Sequence, residues 1–203
     1  MASEFAVYFR LGFEHIADIR GYDHILFIAA LTVAYAPKEW RRLLILVTAF
    51  TVGHSITLAL ATMGAISVNA TLVEILIPVT ILITSVFNIA DSQSVQDGVE
   101  ITGSVRRHHT VLYTLAGMFG LIHGLGFSSF LRVVLGGEES IVLPLFAFNV
   151  GLEVGQILIV LVLFAFGALM THIVKMSRRD WLLVVSGATA GVAITLILDR
   201  IPG

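Results

Sequence analysis

Cysteine is missing from the chain altogether. Its absence removes disulfides, thiolate metal sites and cysteine nucleophiles together, and leaves the redox compartment undetermined. Charge is scarce too. Asp, Glu, Lys and Arg make up 13% of the 203 residues, against about 25% in an average soluble domain. The net charge of -2 says nothing about nucleic acid, but there is no basic tract and lipid-facing surface dominates, so no nucleic-acid partner is expected. A cleavable signal, with its basic start and unbroken apolar run, is not expected either, because Glu4, Arg10, Glu14, Asp18 and Arg20 interrupt the first twenty residues. What remains is apolar. At 57% hydrophobic residues, the chain reads as an all-α integral membrane protein in contact with lipid.

A spanning helix needs about 20 mainly apolar residues. Six segments are expected to cross, at roughly 22–36, 41–63, 70–90, 110–133, 141–171 and 181–199, all in one domain over 1–203. The first is short and is expected to borrow length from residues before Gly21. Phe5, Phe9, Phe13 and Ile16 recur at helical spacing, so a short amphipathic N-terminal helix lying at the membrane surface precedes the spans. Pro37 ends the first span, Pro78 kinks the third and Pro144 suits the first turn of the fifth. Connections are short except the polar stretch from Asp91 to His109, which is expected to be a mobile loop. Basic residues mark the cytoplasmic side. Lys38, Arg41, Arg42, Arg106, Arg107, Lys175, Arg178 and Arg179 fall in alternate connections, opposite those holding Asn69, Arg132, Glu138 and Glu139, so both termini face outside.

Within these spans sit His24, His54 and His123, with Asp23, Glu74 and Glu153. A charged side chain at the bilayer centre costs roughly 2.5–3.5 kcal/mol on insertion scales, and such residues usually mark a functional site. All six fall in the outer half of their spans in the orientation above. Asn149, Glu153 and Gln156 share one helical face, as do Thr51 and His54, with Ser55 beside them. Glu74, Ser85 and Asn88 lie near one stripe of the third span. Gly117, Gly120, Gly124, Gly151 and Gly155 allow close approach of helix backbones. The bland reading is that buried His, Ser, Thr and Asn only bond helices together, each at about 0.6 kcal/mol. His108, His109 and His172 are expected to be solvated span ends, and Asp91, Asp97 and Glu100 a solvated loop face.

Five stretches carry a resemblance: "GFEHIADIRGYDHILFIAAL" from Gly12, "FTVGHSITLAL" from Phe50, "TLVEILIPVTILITSVFN" from Thr71, "GLIHGLGF" from Gly120 and "FNVGLEVGQ" from Phe148. Together they resemble the HupE/UreJ family of bacterial membrane proteins, generally described as metal permeases with nickel the usual assignment. The resemblance implies a multi-pass protein of the bacterial inner membrane, with a metal site centred on Asp23, His24, His54, His123 and Glu153. One departure concerns His15. It lies eight residues before Asp23 where the family tends to have six, and two extra residues rotate it by about 200° unless Gly21 breaks the helix.

The residues themselves restrict the chemistry. Imidazole suits zinc, copper, iron and nickel, and oxygen-only sites suit magnesium and calcium. Three His with one or two carboxylates point to nickel, cobalt, zinc or ferrous iron, and the lack of a Cys or Met cluster argues against Cu(I). Adjacent Asp23 and His24 diverge by about 100° on a helix, so one is expected to bind the ion and the other to support it. His15, Ser55, Glu74, Asn88, Asn149 and Gln156 are expected around the site or along an ion path. The reading adopted is a divalent-metal permease, with three spans following three as an inverted-repeat transporter would have them, and with room for a homo-oligomer. The alternative is a zinc-dependent intramembrane hydrolase of a lipid or membrane peptide, with Glu153 as general base, although no His-Glu-x-x-His is present.

Overall fold

Capping side chains set several helix starts. Ser3 Oγ accepts from the Ala6 N–H, Asn69 Oδ1 from Leu72 and Ser177 Oγ from Asp180, satisfying donors that a helix leaves open at its N-terminus. The computed structural model describes residues 3–92, 102–135 and 140–201, and only the backbone of 102–110. Its elements are α1 (Glu4–Ile16), α2 (Asp23–Val33), α3 (Trp40–Thr62), α4 (Ala70–Asp91), α5 (Thr102–Leu135), α6 (Val142–His172) and α7 (Arg178–Arg200). Among the described residues there are no strands.

Five helical stretches are long and apolar enough to cross a membrane, and the sixth expected span is not among them. That segment is α2, with 11 residues, or about 16 Å at 1.5 Å per residue, roughly half of a 30 Å hydrocarbon core. It cannot borrow upstream length because residues 17–22 leave the helix, and Pro37 closes it downstream. The polar stretch from Asp91 to His109 also differs in part from expectation. Backbone from Thr102 onward is already helical in α5, so Arg106, Arg107, His108 and His109 lie on it. Asp97, Glu100, Glu138 and Glu139 lie outside the described residues.

The N-terminal helix is short, as expected, but it is docked into the bundle. α1 runs alongside α6 in the same sense, with Phe5 meeting Phe146 near one end and Ile16 meeting Gly155 near the other. The fit depends on two glycines. A Cβ on Gly12 would collide with the Phe148 carbonyl, and one on Gly151 with the Phe9 carbonyl. The small residues of α6 thus receive α1. α3 and α5 pack by the same device, again in the same sense: Gly53 faces the Gly117 carbonyl, Gly120 that of Phe50 and Gly124 that of His54. α4 and α7 are antiparallel and joined by polar contacts, including Ser85 Oγ to Thr189 Oγ1 at 2.8 Å. The buried centre is apolar and aromatic, with Phe27, Phe50, Leu58, Ile81, Phe148 and Leu152 nearly inaccessible.

Candidate functional site

The break between α1 and α2 decides the site's geometry. α1 ends at Ile16, and Asp18 Oδ1 then accepts the Arg20 N–H at 2.8 Å, a local turn that competes with helix. With the helix interrupted, the two-residue offset no longer rotates His15 away from His24. Their ring centroids lie 4.7 Å apart. His54 of α3 is 5.9 Å from His15 and 6.2 Å from His24, and His123 of α5 is 5.0 Å from His24. Imidazoles bound to one tetrahedral ion through nitrogens at ~2.0–2.1 Å have centroids roughly 5 Å apart, so the four rings are spaced on that scale. Among the described residues no three His, Asp or Glu side chains already form an assembled metal cage. The rings converge, and gripping one ion requires them to turn.

Hydrogen bonding assigns the protons on two of these rings. The Thr80 hydroxyl donates to the Ile77 carbonyl at 2.6 Å and lies 3.2 Å from His123 Nε2. A hydroxyl has one proton to give, so toward His123 it accepts, and Nε2 carries the hydrogen. His123 Nδ1 is then a bare lone pair, and it is buried without a partner. The same logic applies to His24. Its Nδ1 is 3.3 Å from Asp23 Oδ1; a carboxylate only accepts, so in the neutral ring the proton is on Nδ1 and the lone pair on Nε2, which is also buried and unpartnered. Both nitrogens of His54 and Nε2 of His15 are likewise without partners. Most buried polar atoms in proteins are hydrogen-bonded, so four imidazoles with orphan nitrogens in one place need a reason.

Asp23 is held from two sides. Its Oδ1 accepts the His24 backbone N–H at 3.0 Å, and its Oδ2 lies 3.5 Å from Arg200 Nη2 of α7. Arg200 Nη1 also donates to the Glu74 carbonyl at 2.7 Å. That carbonyl is free because Pro78, four residues on inside α4, has no N–H to give it. The proline thus provides an acceptor that anchors the arginine, the arginine fixes the carboxylate, and the carboxylate sets the tautomer of His24.

The other sequence candidates are engaged in different ways. Glu74 takes part through its backbone; its exposed side chain lines a separate cleft of about 300 Å³ with Ser128 and Arg132. Glu153 accepts from Thr48 Oγ1 at 2.6 Å, and no imidazole is among its hydrogen-bond partners. Gln156 accepts from Thr51 Oγ1 at 2.7 Å, Ser55 donates to the Thr51 carbonyl, and Asn88 donates to the Ala30 carbonyl at 2.6 Å. Asn149 is closer to the cluster by sequence, next to Phe148 whose ring stacks on His54, and its Oδ1 is buried without a partner. A cleft of about 600 Å³ reaches His15 between Glu14 and Asp18 on one side and Phe127 and Phe130 on the other.

Three contributors were absent from the sequence reading: Thr80, Arg200 and Phe127, whose ring lies 3.9 Å from that of His15. A proline in a span was the available signal for the arginine, since it frees a carbonyl that some donor must meet. Thr80 offered none, as a threonine in a membrane helix ordinarily bonds its own backbone.

A family model described as HupE / UreJ protein matches residues 1–200. No curated protein and no solved structure matches the chain. The resemblance carried by the five motifs extends to the whole length, and the chain belongs to the HupE/UreJ family.

Proposed function

We propose that the protein is a divalent-metal permease of the nickel type, in which His15, Asp23, His24, His54 and His123 form an ion-binding station inside the membrane. The metal is the cargo. The observation that carries this reading is the set of orphan imidazole nitrogens, two of them fixed as lone pairs by Asp23 and Thr80. Neutral imidazole is the form that binds borderline metals such as nickel, cobalt and zinc. The ion reaches His15 through the cleft beside Glu14 and Asp18. Asp23 supplies negative charge next to the ion, and Arg200 prevents that carboxylate from swinging away.

Release follows from competition. Protons and metal contend for the same lone pairs, so binding weakens as pH falls, and a proton gradient can drive unloading. The hydrolase alternative needs Glu153 beside the ion as base, whereas Glu153 is engaged by Thr48. We place the protein in the bacterial inner membrane on the strength of its family, and both termini outside on the strength of the basic connections, with α1 and α2 together making the first crossing. Nickel flux into proteoliposomes tests the reading. His54→Ala and His123→Ala are expected to lower flux at least about tenfold while the protein stays monodisperse. Tightly bound zinc in stoichiometric amount, with no flux, would refute the carrier.

A further inference from the structure

Another cavity lies at the opposite end of the bundle, away from the imidazole cluster, with His172 of α6 in its wall. It has a volume of about 270 Å³ and is enclosed by α2, α6 and α7, close to the lower end of the ~300–1,000 Å³ usual for ligand pockets. Its wall is mostly apolar, with Val33, Phe164 and Gly167 among the lining, and Trp181 and Arg178 close its basic end. α2 is too short to fill the space between its longer neighbours, so a gap is left beside it.

We infer that this cavity is a binding site for one anionic phospholipid, with an acyl chain in the apolar part and the phosphate on Arg178. Two independent observations support it. Arg178 is only half-exposed and reaches no carboxylate within 4 Å among the described residues; its one hydrogen bond there is a 3.4 Å contact from Nη2 to the Ala34 carbonyl. Thr32, 3% exposed, lines the same cavity with a hydroxyl that has no partner. In a membrane helix such a hydroxyl normally bonds its own backbone, so a free donor suits an ester or phosphate oxygen. Basic pockets between helices at a membrane surface suit anionic head groups, while the apolar floor excludes a free inorganic anion as sufficient occupant. Trp181 sits where an aromatic ring meets head groups. None of this depends on the metal reading.

Trp40 and Trp181 are the only tryptophans, which makes the test direct. In the Trp40→Phe protein, reconstituted in phosphatidylcholine vesicles, brominated phosphatidylglycerol should quench Trp181 at a several-fold lower mole fraction than brominated phosphatidylcholine. Adding Arg178→Gln should bring the two curves together, Arg178→Lys should keep them apart, and Ala168→Leu, at another lining position, should weaken quenching by both lipids by filling the cavity. Lys38→Gln, a charge at the same end but outside the cavity, should change nothing. Identical curves for the two lipids would overturn the proposal. So would a preference that survives Arg178→Gln, one that Lys38→Gln removes equally, or quenching reversed by millimolar inorganic phosphate.

Discussion

The imidazole cluster and the seam between α3 and α6 are both built from polar side chains in one bundle, and the difference that matters is whether their contacts close. Along the seam every contact closes: Thr48 donates to Glu153, Thr51 to Gln156 and Ser55 to the Thr51 carbonyl. In the cluster the supporting atoms are satisfied and the central ones are not. Thr80 and Asp23 occupy one nitrogen each of His123 and His24, and the nitrogens left over have no partner. A closed polar contact holds helices together. An open set, with two of its four tautomers set by neighbours, has buried lone pairs that no protein group meets. Burial alone would not separate the two, since Gln156 and His123 are equally inaccessible.

The largest effect expected from breaking this contrast is at His24, the one ring in contact with the other three. His24→Ala should lower nickel affinity by about a hundredfold or more, measured by equilibrium dialysis of the detergent-purified protein, because support residues alone are worth 10–100-fold. Thr51→Val, on the closed side of the comparison, should leave affinity within about twofold by the same reasoning. Equal losses in the two variants would mean that the cluster is structural.

Next in size is Gly12→Leu. α1 carries His15 to the cluster and is seated by backbone contact at Gly12 and Gly151. A larger side chain there must push α1 off α6, at about 1–3 kcal/mol for an overpacked interface, and should withdraw His15. Unfolding in a graded denaturing detergent reads the stability, and metal titration reads the lost ring. Gly117→Ala, where an added Cβ meets nothing within 4 Å, should do neither.

The sequence was most legible where chemistry is expensive. Histidines and acids in a membrane span stand out because they are costly there, and His24, His54, His123 and Asp23 converge in the structure. Glu153 satisfies the same cost argument, yet it is only half-buried and accepts from the exposed Thr48, and no spacing rule predicts which partner answers an acid in a span. His15 was obscured for the opposite reason. The expected rotation assumes a continuous helix, and the turn at residues 17–22 removes that premise. The same turn shortens α2 and leaves five long apolar helices instead of six. Periodicity reports where a helix can form. It cannot tell a helix that spans from two short ones that share the work.

Arg200 offers a finer test, because it touches no imidazole. Arg200→Gln should weaken nickel binding by about tenfold, as removal of an outer support does at metal sites, and Pro78→Ala should give a smaller loss in the same direction by returning the Glu74 carbonyl to its helix. The two effects should not add, since both act through one guanidinium. Additive losses would separate the proline from the arginine.

The smallest effect belongs to the closed seam, and it is the one that defines the baseline. Thr51→Val alone leaves Gln156 Oε1 buried without its donor, and Gln156→Leu alone leaves the Thr51 hydroxyl with only its 3.2 Å bond to the Val47 carbonyl. The double variant removes both groups. A stability cycle over the three variants should give a coupling near ~0.6 kcal/mol, the average for interhelical hydrogen bonds in membranes, with metal affinity unchanged throughout. The corresponding cycle across Thr80→Val and His123→Ala should behave differently: its stability coupling should be of the same small order, while metal affinity should fall in both single variants. If the Thr51–Gln156 cycle also moved metal affinity, the seam would belong to the ion path, and the line drawn between closed and open polar contacts would have to shift toward α6.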